Sequence, residues 1–334
     1  MLRFPLEMTT RIAGYVAKKK LTKAERFPMV LMLEPLHACN LTCTGCGRIR
    51  EYESTIKQKL SIQECLDAVD ECGAPVVSIC GGEPMIYPGI GELVAKILER
   101  KKVVYLCTNG MFIKKKIADF KPSSKFFFNV HLDGMRKNHD IAVEREGVFD
   151  AAIEGVKIAK EHGFLVCSNT TVYKETEMAE LDEMFGYLTG LGCDGFMISP
   201  GYSYSAVGDK SMFMNRDEIR EKFRAADAMF RKYKFATSPI FLEFLQGKRE
   251  MSCTAWGNPT RNIKGWKGPC YLITDIHHKS FDDLLNKTPW EQYGYGKDPR
   301  CENCMVHSGY EASAALGVNA KLGDTLKMLK WQFV

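Results

Sequence analysis

The chain is expected to be an α/β protein, a partial (β/α)6 barrel of the TIM type with a smaller C-terminal extension. Three observations carry this: short apolar runs recur along residues 30–199, helical stretches separate them, and polar or glycine-rich turns follow them. Runs apolar on both faces suit a parallel sheet covered by helices. They are Val30 to Leu36, Val76 to Cys80, Val103 to Cys107, Phe126 to Leu132, Leu165 to Val172 and Gly195 to Ser199. Helical candidates between them are Ser61 to Cys72, Gly89 to Lys101, Asp150 to His162 and Glu177 to Gly190. Ser61 with Glu64 three residues on is a capping-box start, which supports the first of these helices.

At 334 residues, 45% hydrophobic and 26% charged, the chain has the make-up of a globular protein able to bury a full core. A net charge of +5 is too mild to imply nucleic acid. Thirteen cysteines without a signal peptide, several inside apolar runs, point to a reducing cytoplasm and to metal-binding or catalytic thiols instead of disulfides. No run approaches the apolar length of a membrane span. Residues 1–28 mix Leu2, Phe4, Leu6, Ile12 and Val16 with Arg11, Lys18, Lys19 and Lys20. That pattern predicts a helix packed on the barrel, and it also suits peripheral contact with anionic lipid headgroups. Residues 29–209 are read as the barrel and 210–334 as the extension, which opens with a charged helix over Asn215 to Tyr233.

In barrels of this kind, chemistry gathers on the loops at the carboxyl ends of the strands. Cys39, Cys43 and Cys46 follow the first run, Gly81-Gly82-Glu83-Pro84 the second and Thr108-Asn109-Gly110 the third. Asp133-Gly134 follows the fourth run and Ser199-Pro200-Gly201 the sixth. Three thiolates on one short loop suit a [4Fe-4S] cluster that keeps one iron free for a substrate. A structural zinc site would need a fourth Cys or His, and His37 is the neighbour that could supply it.

The spacing of the three cysteines, followed one strand later by Gly81-Gly82-Glu83-Pro84, resembles the radical S-adenosylmethionine (SAM) superfamily. The resemblance implies a [4Fe-4S] cluster on Cys39, Cys43 and Cys46, with SAM as co-substrate. It also implies that Gly81 and Gly82 let the backbone approach the methionine end of SAM while Glu83 meets its ammonium group. His131 and Asp133 on the fourth run, Ser168, Asn169 and Thr171 on the fifth, and Ser199 on the sixth are candidates to hold the sugar hydroxyls or the carboxylate. One position departs from the family pattern: the residue before the last cysteine, usually aromatic there, is Gly45.

Three C-terminal stretches, at 253–262, 265–272 and 301–311, resemble the tail of adenosylhopane synthases. That resemblance implies addition of the 5′-deoxyadenosyl radical to the terminal alkene of diploptene, a triterpene, with flavodoxin or ferredoxin as electron donor. The tertiary carbon radical left behind needs a hydrogen atom, and Cys107, at the end of the third run, is the candidate donor. An apolar tunnel is then required, for which Phe196, Met197, Tyr202, Tyr204, Trp256 and Trp266 are candidates. Cys253, Cys270, Cys301 and Cys304 have the number for a second iron-sulfur or zinc site, whereas a further ligand expected in some auxiliary clusters falls at Ser308. Packed thiols are the other reading. Modification of a peptide or another substrate, with auxiliary clusters, is the competing function, and a noncatalytic metal-binding protein is a third that the Gly81-to-Pro84 motif opposes.

Overall fold

A computed structural model describes residues 3–333. Six strands pair in parallel and in chain order: β1 (Val30–Leu33), β2 (Val76–Ile79), β3 (Val103–Thr108), β4 (Phe126–His131), β5 (Leu165–Val172) and β6 (Gly195–Pro200). The helices Ile62–Cys72, Ile90–Glu99, Val148–Glu161 and Met178–Gly190 run between them. The Ser61–Glu64 capping box is formed in both directions. The charged helix expected over Asn215 to Tyr233 breaks at Ala226 into Arg216–Ala225 and Asp227–Lys232.

The segment after residue 209 returns to the same sheet. β7 (Thr260–Asn262) adds in parallel to the free edge of β1, and β8 (Gly265–Pro269) and β9 (Thr274–His278) continue antiparallel, giving nine strands. Amides of Met32 and Glu34 donate to the carbonyls of Pro259 and Arg261, so the first strand has no unpaired edge.

The pleat sorts the barrel side chains into two sets. Leu31, Leu33, Val77, Ile79, Val104, Leu106, Phe128 and Val130 belong to the large core shared with the helices. Val76, Val103, Tyr105, Phe127 and Cys167 form a separate layer around Met8, with Phe4 and Ile12 packed against it. The helix Leu6–Leu21 therefore caps the end of the barrel opposite the functional loops, as the packed-helix expectation has it. Arg3 ties this cap to the far end of the chain: its guanidinium donates to the carbonyls of Phe235 and Trp331 and its amide to Gln332.

Candidate active site

The barrel encloses a cavity of about 520 Å³, within the range of small-molecule sites. One end is polar and the other is not. Cys39, Cys43, Cys46, Gly81, Gly82, Glu83, His131, Asp133, Asn169, Thr171 and Ser199 line it toward the loops, and Phe4, Met8, Ile12, Met29, Val30 and Met32 line the floor. Ser168 is not brought to the cavity: Cys167 faces inward with the Met8 layer, so the pleat sends Ser168 to the helix-covered face. Of the tunnel candidates, Met197, Tyr202 and Tyr204 line the space. Phe196 instead packs outward on Phe185 and Phe235, Trp266 is buried with its indole donating to Glu71, and Trp256 faces a second, smaller cavity.

The cysteine loop is held from below and from the side. The Gly82 amide donates to the Leu36 carbonyl at 3.1 Å and the Glu83 amide to the Ala38 carbonyl at 2.9 Å. A Cβ on Gly81 would lie 2.4 Å from the Leu36 oxygen and one on Gly82 1.9 Å from the Ala38 oxygen, so these glycines are required by the approach of the chain's own cysteine loop. Gly81 also has a φ of +108°, a conformation that favours glycine. Arg50 donates to the carbonyls of Thr42, Cys43 and Cys46 from the other side.

Beneath the loop lies a buried ion pair, Arg48 Nε to Glu34 Oε1 at 3.2 Å. Burial pushes the Glu34 carboxyl up, but Arg48 and its neighbours outweigh this and hold it down at about 2. His37 Nδ1 meets Thr55 Oγ1 at 2.9 Å and its ring stacks on Tyr52, while Nε2 has no hydrogen-bond partner among the described residues and faces Glu34 Oε2 at 3.8 Å.

Glu83 is buried and fixed by three donors, the amides of Met85 and Asn109 and the Thr108 hydroxyl at 2.7–2.9 Å. Burial raises its carboxyl despite these bonds. Across the cavity, His131 Nε2 sits 2.8 Å from Asp133 Oδ2, while Asp133 Oδ1 accepts the Thr171 amide. Burial pulls His131 down and Asp133 more than restores it, so the imidazole is raised. Cys107 lines the cavity with its sulfur 3.2 Å from Ser78 Oγ and 3.5 Å from Asn129 Nδ2.

Sequence reasoning missed three residues. The Tyr173 ring lies where a Gly45 side chain would be, its hydroxyl 2.2 Å from that Cβ position, and it also fills the space beside Gly201. The aromatic expected before Cys46 is thus replaced by one from the end of β5. His139, fully buried and pushed down to about 4 by burial, accepts the Asp133 amide on Nδ1. Glu311, from the helix His307–Leu316, lines the cavity with one oxygen on the Ser238 amide and the other without a partner. No sequence motif marks these residues; only the fold brings them in.

Among the described residues, no three His, Cys, Asp or Glu side chains converge on a point where one metal ion would sit. A single zinc on Cys39, Cys43 and Cys46 with His37 is thereby disfavoured. A [4Fe-4S] cluster binds each cysteine to a different iron, and three thiols spread along a cavity rim fit that donor set.

Comparison with known proteins agrees with this geometry. Residues 33–188 match the Radical SAM superfamily, and residues 196–328 match a domain of unknown function, DUF3463. A GTP 3',8-cyclase of Campylobacter fetus is 30% identical, with 88% of each chain covered. The subtilosin biosynthesis protein AlbA of Bacillus subtilis is 25% identical over 92% of this chain and 72% of its own length. The fold matches Streptococcus suis SuiB, solved with its precursor peptide SuiA, at a TM-score of 0.65 and 18% identity, covering 89% of this chain and 74% of that one. The chain belongs to the radical SAM superfamily. It is a radical SAM enzyme, of a family whose cofactors are a [4Fe-4S] cluster and SAM.

Two outcomes follow from the site. Gly82→Ala forces the Ala38 carbonyl aside, and SAM cleavage, read as 5′-deoxyadenosine formed, is expected to fall on the order of a hundredfold; full cleavage would show that the loop tolerates the displacement. Burial raises Glu311 from 4.5 to about 7 despite its Ser238 bonds. Its ionised form is disfavoured in the folded state, so it costs nothing below pH 4.5 and a growing penalty as pH rises through 7, up to about 3 kcal/mol. Urea unfolding of Glu311→Gln against the parent is expected to show a stability difference that shifts in the variant's favour between pH 5 and 8. A difference constant with pH would contradict it.

Proposed function

We propose that this chain adds the 5′-deoxyadenosyl group of SAM to the terminal alkene of an apolar polycyclic hydrocarbon of the diploptene type, giving an adenosylhopane. The observation that carries this is the cavity's division into a polar mouth and a floor of Phe4, Met8, Ile12, Met29, Val30 and Met32, with Cys107 between them. These six side chains offer a hydrocarbon burial, and the polar groups Asn258 and Glu311 also line the cavity.

In this reading Cys39, Cys43 and Cys46 hold the cluster. When bound, the cluster and SAM supply a 5′-deoxyadenosyl radical, the electron coming from flavodoxin or ferredoxin. Glu83, set by Thr108, Asn109 and Met85, presents negative charge to the SAM ammonium. His131, Asp133, Asn169, Thr171 and Ser199 offer hydrogen bonds to the ribose and carboxylate. Tyr173 supplies the flat surface missing at Gly45. Addition leaves a tertiary carbon radical, and Cys107 donates its S–H hydrogen atom, since that bond is weaker than the C–H bond formed. One further electron, from the same flavodoxin or ferredoxin donor, and one proton then return the sulfur to a thiol.

Modification of a peptide is the second reading, and the relatives favour it: AlbA belongs to bacteriocin biosynthesis and SuiB was solved on a precursor peptide. No described helix is long and apolar enough to cross a membrane. Peripheral contact has its own support. Leu322, Leu326, Leu329 and Phe333 form an exposed stripe along the C-terminal helix Asp324–Gln332 and its flanks. This helix meets the start of the floor helix, which exposes Leu6, Leu21, Lys18 and Lys20. We read this face as resting on an anionic bilayer, from which the hydrocarbon is drawn.

Anaerobically reconstituted protein given SAM, a reductant and diploptene is expected to yield an adenosyl-hydrocarbon adduct by mass spectrometry, with deuterium from heavy water at the new C–H. Free 5′-deoxyadenosine without adduct would overturn the hydrocarbon reading, and Cys107→Ala that still forms reduced product with unchanged stereochemistry would remove the donor role. Sedimentation with phosphatidylglycerol vesicles is expected to exceed that with neutral vesicles and to fall with salt and in Leu326→Glu/Leu329→Glu; equal binding to both vesicle types would discard the membrane face.

A further inference from the structure

We propose that Asn258, His307 and Glu311 form a polar subsite in the side wall of the barrel cavity, one that receives the hydroxyl of a polycyclic alkene alcohol. The extension builds this wall. β1 and β6 do not pair with each other, and each is flanked by chain from beyond residue 209. Beside β6, the Ala236 amide donates to the Phe196 carbonyl at 2.7 Å and the Ile198 amide to Thr237 Oγ1 at 3.0 Å. Beside β1, the Met29 amide donates to the Gly257 carbonyl at 2.6 Å. The helix His307–Leu316 reaches both flanks: Glu311 Oε1 accepts the Ser238 amide at 2.9 Å, and a Cβ on Gly257 would lie 2.6 Å from the Ala312 side chain.

Positions 307, 311 and 315 fall on one face of that helix, and His307, Glu311 and Ala315 all line the cavity. Asn258 lines it from the segment leading into β7. His307 is anchored through its main chain, its amide donating to Ser199 Oγ at 3.1 Å, so the imidazole takes no part in seating the helix. Three buried polar atoms on this wall have no hydrogen-bond partner among the described residues: Asn258 Oδ1, His307 Nδ1 and Glu311 Oε2. Asn258 is only 6% exposed, beyond the reach of bulk water. Buried polar groups are ordinarily paired, and three such atoms facing one cavity form a recognition surface for a polar group on whatever fills it.

The set of groups selects the chemistry of that partner. Burial pushes His307 down to about 4 and Glu311 up to about 7, so below neutral pH the imidazole is uncharged and the carboxyl keeps its proton. An amide, a neutral imidazole and a carboxyl each offer a donor and an acceptor, as a hydroxyl does. Among the described residues of the extension that line the cavity there is no Lys or Arg, so a phosphate or carboxylate headgroup finds no counter-charge on this wall. No three His, Cys, Asp or Glu side chains converge among the described residues, which argues against a metal ion.

The subsite rests on the reading that the apolar floor takes a polycyclic alkene, and it widens that class. Diploptene carries no hydroxyl and leaves these three groups to water. A ring alcohol of the same skeleton keeps the carbon framework on the floor and gives the wall its hydrogen bonds.

The test is equilibrium binding of radiolabelled diploptene and of diploptene alcohols, each with one ring hydroxyl, to the full chain reconstituted anaerobically with SAM and no reductant, so that nothing turns over. At least one alcohol is expected to bind about tenfold more tightly than diploptene, the worth of one hydrogen bond to otherwise unsatisfied groups. Glu311→Leu and His307→Leu are each expected to bring that ratio close to one, while Glu311→Gln, which keeps a donor and an acceptor, retains it. Should the leucine variants fail to fold, infrared difference spectra of the parent decide. The carboxylic acid stretch that is missing from Glu311→Gln is then expected to move to lower frequency with the alcohol and to stay in place with diploptene. Equal binding of diploptene and every alcohol, a preference that survives in both leucine variants, or an unmoved carboxyl band shows a wall that holds water only; each overturns the subsite and leaves the alkene reading standing. Binding of none of these ligands overturns both.

Discussion

Two backbone hydrogen bonds, from Gly82 and Glu83 to the carbonyls of Leu36 and Ala38, fix where three thiols stand relative to the barrel. They exist only because positions 81 and 82 carry no side chain. The second strand end thereby becomes a mould for the loop of the first, and Glu83, turned inward at the same corner, takes its donors from the third. Three consecutive strand ends are locked into one rigid rim. A site that must aim a short-lived radical gains from such rigidity, because small misplacements of reacting atoms are costly in rate.

Below the rim the chain changes solvent. Inward-facing residues present Cys107, Asn129 and Asn169 of β3, β4 and β5 near the mouth and Val30, Met32 and Val76 of β1 and β2 lower down, so polarity falls along the barrel axis. The buried Glu34–Arg48 pair connects the barrel to the extension: Arg48 stacks over Tyr271, its guanidinium 4.0 Å from the ring centre, and Lys267 of the extension lies 3.3 Å from Glu51 Oε1. The extension is therefore bound to the barrel by charge as well as by the β1–β7 pairing.

The strand and helix pattern was legible because a parallel sheet under helices leaves uninterrupted apolar runs, and the site's main motifs were legible because each lies within one loop. Orientation within a strand was harder. In β5, residues 168–171 are all polar, so no alternation tells which face Ser168 takes, and only the packing of Cys167 decides it. The role of Gly81 and Gly82 was readable as close approach, yet the approaching atoms belong to the chain itself. Glu311 enters the site through Ser238, 73 positions away, Tyr173 through its approach to Gly45, and His139 through the Asp133 amide, none of them within a motif of its own, so local sequence carries no trace of their roles. The short strand β7 was missed because three residues are too few to show a period.

The floor of the barrel has a consequence for biosynthesis of the protein itself. Phe4, Met8 and Ile12 precede the strands they pack on, and their helix is seated in part by Glu7 on Ser124 and Lys125 and in part by Trp331 and Gln332, about three hundred residues further along the chain. The last of these contacts closes only when residues 331–332 have been made, so the seal on the apolar base of the barrel is completed late in synthesis.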